Sequence, residues 1–254
     1  MQVTIVGKEN SPTCLGVSFR RNRPGPEQQL VARFLDTLQI KTQKGCEVTV
    51  FREPRVAAAY PDLVIVVWHV ATAQKWNSYR ADLTTSDIRI MHFLGDAGAV
   101  SVGQLEDVFR AKVGNSLIRL QAANMISQDG TNWRARPLSE CFAARHIIAM
   151  EAKISEWQEA LEQAYINTWF ASASYVVVPK LSPKSKLVER AKALGVGVQE
   201  VNTLHFDPRQ LSPGQLPVSY ASWLFNEWVW RVSQHSSMEQ RGINGCQLAQ
   251  ATVF

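Results

Sequence analysis

Paired cysteines are the first thing this chain lacks. Its four cysteines, Cys14, Cys46, Cys141 and Cys246, stand far apart, and no CxxC pair occurs. That spacing excludes the common zinc-binding patterns, and a disulfide framework is out of place in a chain of 254 residues. Long apolar runs are missing as well. The longest, Leu63 to Trp68, falls far short of the roughly 20 residues needed to cross a bilayer. The opening stretch MQVTIVGKENSP alternates like a strand and lacks the charged-then-apolar order of a signal peptide. No internal repeat and no low-complexity tract is present. These absences lead to the expectation of a folded cytoplasmic protein with reduced thiols and no membrane partner.

What is present is a chain with 46% hydrophobic residues and a net charge of +5. The first figure suits a globular core, and the second is compatible with a polyanionic partner without requiring one. A basic loop from Arg20 to Arg23 precedes Pro24, and Pro26-Glu27 then suits the first turn of a helix. Leu30, Val31, Phe34, Leu35 and Leu38 follow at helical spacing. Glu47 to Phe51 reads as a strand, and Leu63 to Trp68, apolar on both faces and β-branched, as a strand in the middle of a sheet. His146 to Met150 is a second such run and continues into Glu151-Ala152-Lys153-Ile154. Ser155 and Gln158 have capping-box spacing, predicting a helix with the stripe Trp157, Leu161, Ala164, Tyr165 and Trp169. A strand at Tyr175 to Val178, a helix from Lys184 to Leu194 and a strand at Val196 to Val201 complete the series. Such alternation at short separations implies parallel crossovers and an α/β sheet flanked by helices. Near the C-terminus Tyr220, Trp223, Leu224, Trp228 and Val232 fit a helix.

The alternation breaks between Asp82 and Arg136. Thr84 or Thr85 can cap a helix bearing Ile88, Met91, His92 and Leu94, and Ser101 with Gln104 forms a box opening a second helix. A third helix starts near Asn115-Ser116, and Asp129-Gly130 turns a hairpin whose return strand holds Trp133. The order helix, helix, helix, hairpin resembles a winged-helix (helix-turn-helix) domain, giving an expected insertion at 82–136 within a discontinuous domain of 1–81 and 137–254. That resemblance implies a third helix in the DNA major groove and a wing on the backbone. No acidic residue lies between Val108 and Gln128, so Arg110, Lys112, Asn115, Ser116 and Arg119, with Arg134 and Arg136 on the wing, are the expected DNA contacts. With six basic and five acidic residues between Thr84 and Arg136, a protein-docking role for the same segment stays open.

Two features carry the chemistry. Asp62 stands at the mouth of a buried strand, after Pro61, and Glu151 and Lys153 stand two residues apart near the end of another. On a strand, residues i and i+2 share a face, and charges beside so much apolar sequence are costly unless paired or bound to metal. Glu53 is a further carboxylate, available either to this site or to Arg52 and Arg55.

Pro61-Asp62 followed by Glu151-Ala152-Lys153, then a helix and a parallel strand, resembles the PD-(D/E)xK nuclease family. The resemblance implies a restriction-endonuclease-like mixed sheet and a Mg²⁺- or Mn²⁺-dependent DNA endonuclease, with Asp62 and Glu151 holding the metal and Lys153 orienting the attacking water. It also assigns Glu27, on the first helix, and Gln163, on the helix after the E-x-K strand, to the site. A catalytically inactive DNA-binding regulator, and an interaction subunit of a larger assembly or a homodimer, are the alternatives.

Overall fold

Hydrophobic patterning decides which strand becomes the centre of the sheet. The computed structural model describes residues 3–8, 15–20, 24–40, 42–182, 185–201, 216 and 218–250, with side chains of the last helix described as far as His235. Arg21 to Arg23, Cys14, Lys184 and the Cys246 side chain, all named above, lie outside the described residues.

The chain opens with β1 (Val3–Val6), α1 (Pro26–Thr37), β2 (Cys46–Arg52) and β3 (Leu63–His69). There follow α2 (Val70–Ala73), a 3-10 turn (Ser78–Asp82), α3 (Thr85–Ala97), β4 (Val100–Ser101), α4 (Val102–Phe109) and α5 (Gly114–Ala122). Then come β5 (Ile126–Asp129), β6 (Asn132–Ala135), α6 (Leu138–Cys141) and β7 (Ala144–Ala152). The last part is α7 (Trp157–Ile166), a 3-10 turn (Asn167–Trp169), β8 (Ala173–Val178), α8 (Leu187–Ala193), β9 (Gly197–Glu200) and α9 (Tyr220–Gln250).

Six strands form a mixed sheet in the order β1-β2-β3-β7-β8-β9. The centre, β2-β3-β7, is antiparallel, and β8 and β9 extend it in parallel through the α7 and α8 crossovers. Leu63 to Trp68 lie inside on both faces, as their unbroken apolar run requires. Leu63, Ile65 and Val67 pack with Leu30, Val31 and Phe34 of α1. Val64, Val66 and Trp68 face the other way, into a cluster with α9 and the segment between β3 and β7. Each fully buried Val, Leu or Ile there is worth ~1.5–3 kcal/mol of transfer free energy.

The segment from α2 to α6 leaves the sheet at the end of β3 and returns at the start of β7. His69 N–H donates to the Ala143 carbonyl at 2.8 Å, so its two ends are hydrogen-bonded neighbours. It begins and ends nearer the sheet than the expected 82–136, and it holds its own three-stranded sheet, β4-β6-β5. Two capping boxes, Thr84 with Asp87 and Ser101 with Gln104, start α3 and α4. Its apolar core is continuous with one face of the large sheet, because Leu83, Ile88 and Met91 share a cluster with Trp223, Phe225 and Trp228 of α9.

Two local expectations fail at α7. Ser155 does not cap it: Glu156 takes the cap position with φ 56°, and no side chain bonds the first turn. The buried stripe is Ala160, Leu161 and Ala164, while Tyr165 and Trp169 are exposed. Among the described residues no helix is long and apolar enough to cross a membrane.

Candidate active site

The register of β2, β3 and β7 aligns a row of acids at the strand ends, with Glu53 and Asp62 one residue beyond β2 and β3. Leu63 pairs with Met150, and Arg52 with Leu63. One step beyond each pair sets Asp62 opposite Glu151 and Glu53 opposite Asp62, and directly opposed residues share a face. The Glu53 N–H donates to the Asp62 carbonyl at 3.0 Å, closing the row on that side. Glu53 holds a left-handed backbone, φ 48°, a conformation uncommon for a residue with a Cβ.

Asp62 and Glu151 clasp each other through the main chain. Asp62 Oδ2 accepts a 2.7 Å hydrogen bond from the Ala152 N–H, and the Asp62 N–H in turn favours the ionised form of the Glu151 carboxyl. Glu151 is only 6% exposed, and its Oε1 accepts from Asn167 Nδ2 at 2.6 Å. Burial, then the neighbouring Asp62 charge, push the Glu151 carboxyl well above its ordinary range. Burial likewise pushes Asp62 up to about 6, with Glu53 and Glu27 adding to the rise and the Ala152 N–H and Lys153 opposing it. Two acids that resist ionisation side by side form a site that a divalent cation would relieve.

Lys153, two residues beyond Glu151 and just past the end of β7, is bracketed by Glu27 Oε1 at 3.1 Å and Glu159 Oε2 at 3.3 Å. Its burial lowers its basicity, but those two carboxylates more than offset it and hold the ammonium charged. Glu27 thus meets Lys153 from the first turn of α1, its bond running to the lysine. Gln163 is exposed. It lies on the helical stripe Glu159, Gln163, Asn167, spaced four residues apart, and the amide that touches a carboxylate is Asn167. The sequence held a signal for Asn167: with Ala160 and Ala164 it continues a buried stripe at i, i+4 and i+7, where a polar residue needs a partner.

Asp62 opens onto a cleft of about 770 Å³ whose walls include Glu27, Glu53, Lys8, Arg20 and Arg52. Among the described residues no group of three or more His, Cys, Asp or Glu side chains surrounds one point. Mg²⁺ is commonly held by one or two carboxylates plus water and phosphate oxygens, and the Asp62–Glu151 pair fits that donor set.

No protein-family model, curated protein or solved structure matches this chain.

The expected DNA contacts divide sharply. Ser116 is buried, and Arg119 turns inward to bond both oxygens of the fully buried Asp87 at 2.8 Å each. Burial alone would raise Asp87, but bonds from Arg119, Ser116 and Thr84 hold its carboxyl below the ordinary value. Both residues therefore join the segment's internal support and leave its outer surface. Lys112 pairs with Glu106 at 2.9 Å while its side chain stays 91% exposed. Arg134 reaches Asp129 only at 3.9 Å, and Arg136 pairs with Glu140 at 2.7 Å, all on the surface. Arg110 caps the end of α4 in a left-handed conformation, and Asn115 faces outward on α5.

Proposed function

We propose that this chain is a Mg²⁺- or Mn²⁺-dependent nuclease of the PD-(D/E)xK type, hydrolysing phosphodiester bonds in DNA. The observation that carries the proposal is the strand register that sets Asp62 against Glu151, both desolvated, with Lys153 two residues past Glu151, just beyond the end of β7. The order α1-β2-β3-β7-α7-β8 around that register supports a restriction-endonuclease-like core. Three helices and the β5–β6 hairpin between β3 and β7 support a winged-helix insertion.

A divalent ion bound there would lower the pKa of water and neutralise phosphate charge. The protein groups do the rest. Asp62 and Glu151 supply oxygens whose repulsion disposes them to take a cation. Asn167 donates to Glu151 Oε1 and so fixes the orientation of that carboxylate. The Lys153 ammonium stabilises negative charge developing on the phosphoryl oxygens. Lys8, Arg20 and Arg52, on the walls of the same cleft, oppose the acids and suit the flanking phosphates.

The test compares nicking and cleavage of linear, circular, single-stranded and branched DNA with Mg²⁺, Mn²⁺ or chelator. Asp62→Asn and Glu151→Gln lose nearly all cleavage, and Lys153→Ala loses about 10²–10³-fold in the chemical step. Cleavage that survives chelator, or four equally active proteins, refutes the assignment.

One observation favours a second role for the inserted segment. The outward face of α5 carries Asn115, Ile118 and Gln121, all uncharged, with Ile118 65% exposed. Such a face suits contact with another protein as well as with base edges.

A further inference from the structure

A second cavity, of about 340 Å³, lies between the bend after β2, α3 and the start of α9. Phe225, Trp228, Leu224 and Val56 line it, Tyr220 and the 42% exposed Trp169 stand at its side, and Arg55 and Arg89 edge it. Its lining is apolar and aromatic, while its charged members are both cations. The Arg89 guanidinium lies 5.6 Å from the Tyr220 ring centre, and Arg55 Nε donates to the Ala57 carbonyl at 3.3 Å. Among the described residues neither arginine has a carboxylate partner.

Its position ties it to the acid row. Glu53, opposite Asp62, is followed two residues later by Arg55. Asn167, which holds Glu151, is followed two residues later by Trp169 along a single 3-10 turn, a rise of only ~4 Å. One chain segment of the acid row, and the segment whose Asn167 holds Glu151, thus run into the walls of the cavity. Asp62 and Glu151 themselves share a sheet face with Val64 and Ala149, the face that Phe225 and Trp228 cover.

We infer that this cavity receives an unpaired nucleobase of the strand being cut, on the nuclease reading given above. Trp169 and Tyr220 offer stacking faces, and Arg55 and Arg89 meet the phosphates on either side of that base. An aromatic slot rimmed by guanidinium groups is the chemistry that recognises single-stranded nucleic acid, because every base has a π-face and every link a negative charge. A duplex with all bases stacked internally cannot fill it. The substrate class is therefore DNA with at least one unpaired nucleotide beside the scissile phosphate.

The experiment measures binding of the whole chain, in chelator, to a short fluorescein-labelled oligothymidylate and to the same strand with abasic sugars. The wild type binds the base-bearing strand about ten-fold more tightly or better. Trp169→Ala and Tyr220→Ala each bring that strand toward the abasic level and leave abasic affinity unchanged. Equal wild-type affinity for the two strands overturns the inference, as do variants that weaken both strands alike. Cleavage is scored separately with Mg²⁺. If the base preference holds while wild type and Glu151→Gln are both inactive, the nuclease reading falls and the cavity stands as a base-binding site. If cleavage is metal-dependent but the two strands bind alike, only the base site falls, and an apolar side chain of a protein partner becomes the better occupant.

Discussion

The molecule buries charge at both ends of the β3–β7 pair, and it treats the two ends in opposite ways. At the end where the inserted segment departs, Arg80 and Glu227 are 1% and 0% exposed and meet at 2.7 Å. Every side of that pair is occupied. Arg80 also donates to the Cys141 carbonyl at 2.6 Å and lies 3.4 Å from the centre of the Trp76 ring. Asn226 donates to Glu227 and accepts from the N–H groups of Ala143 and Ala144, while Arg231 donates to the carbonyls of Arg80 and Leu83. Opposite charges, closed by hydrogen bonds, lock α9 across both ends of the insertion. At the other end, Asp62 and Glu151 have the same sign, and Asp62 lines an open cleft while Glu151 is buried. A buried pair that compensates itself serves the fold; a buried pair that repels itself costs stability and calls for a cation from outside.

The comparison breaks most readily at Arg80. Arg80→Ala leaves Glu227 buried and uncompensated, so the chain should lose ~3–5 kcal/mol of stability, measured by chemical denaturation. Arg80→Met together with Glu227→Leu should recover most of that loss, because no charge then remains buried. If the double variant is no more stable than Arg80→Ala, the pair is needed for something beyond its own compensation.

The acid pair should respond with the opposite sign. Both carboxyls have folded pKa values above their unfolded ones, so the metal-free protein is helped at low pH and loses that stability as pH rises. For Asp62 the loss runs from its ordinary value of 3.8 to about 6, and for Glu151 it continues higher. Asp62→Asn should therefore match wild type near ~pH 4 and exceed it by about 3 kcal/mol at ~pH 8 without metal. Glu151→Gln should move the same way. Added Mg²⁺ should raise the melting temperature of wild type, increasingly so as pH rises and its ligands lose their protons, and leave both variants unmoved. A variant less stable than wild type at every pH would show that the acids hold the fold together.

Where the chain is legible, one residue type repeats a simple instruction. Leu63 to Trp68 alternate faces with apolar side chains throughout, so the central strand was plain, and the capping residues Thr84 and Ser101 fixed two helix starts. Asp62, Glu151 and Lys153 could be placed near strand ends, but what brings Asp62 opposite Glu151 is a pairing between segments 89 residues apart with an entire folded segment between them. Local patterning carries no register. Arg80 is obscured for a related reason: it is an ordinary turn residue until the carboxylate of Glu227, far away in sequence, meets it, whereas Asn167 shows in the sequence as a polar residue on a buried stripe but not which carboxylate it meets. Arg119 misled in the same way, since its lack of acidic neighbours in sequence conceals Asp87, which comes from another helix.

The smallest expected effects sharpen the comparison inside the insertion, where Arg119 and Lys112 differ in the environment of their acidic partners. Arg119 bonds a carboxylate with no exposure, through two parallel contacts, and its own side chain is only 33% exposed. Removing it leaves the buried Asp87 carboxylate with its bonds to Thr84 and Ser116 but no counter-charge, so Arg119→Ala should cost ~1–3 kcal/mol of stability. Lys112 bonds Glu106 in open solvent, where such pairs are worth little, so Lys112→Ala should leave stability unchanged. DNA binding should sort them in reverse. If the insertion contacts phosphates, Lys112→Ala and Arg134→Ala should each reduce the slope of log affinity against log salt by about 1, because each surface cation, only weakly held by Glu106 or Asp129, can release a counterion from the backbone. Arg119→Ala should leave that slope alone in the fraction that remains folded, because its guanidinium is already committed to Asp87. A salt series by fluorescence anisotropy, run beside denaturation curves for the three variants, separates the two effects. A slope unaffected by Lys112 and Arg134 would withdraw DNA from this surface and leave the uncharged face of Asn115, Ile118 and Gln121 as a contact for protein.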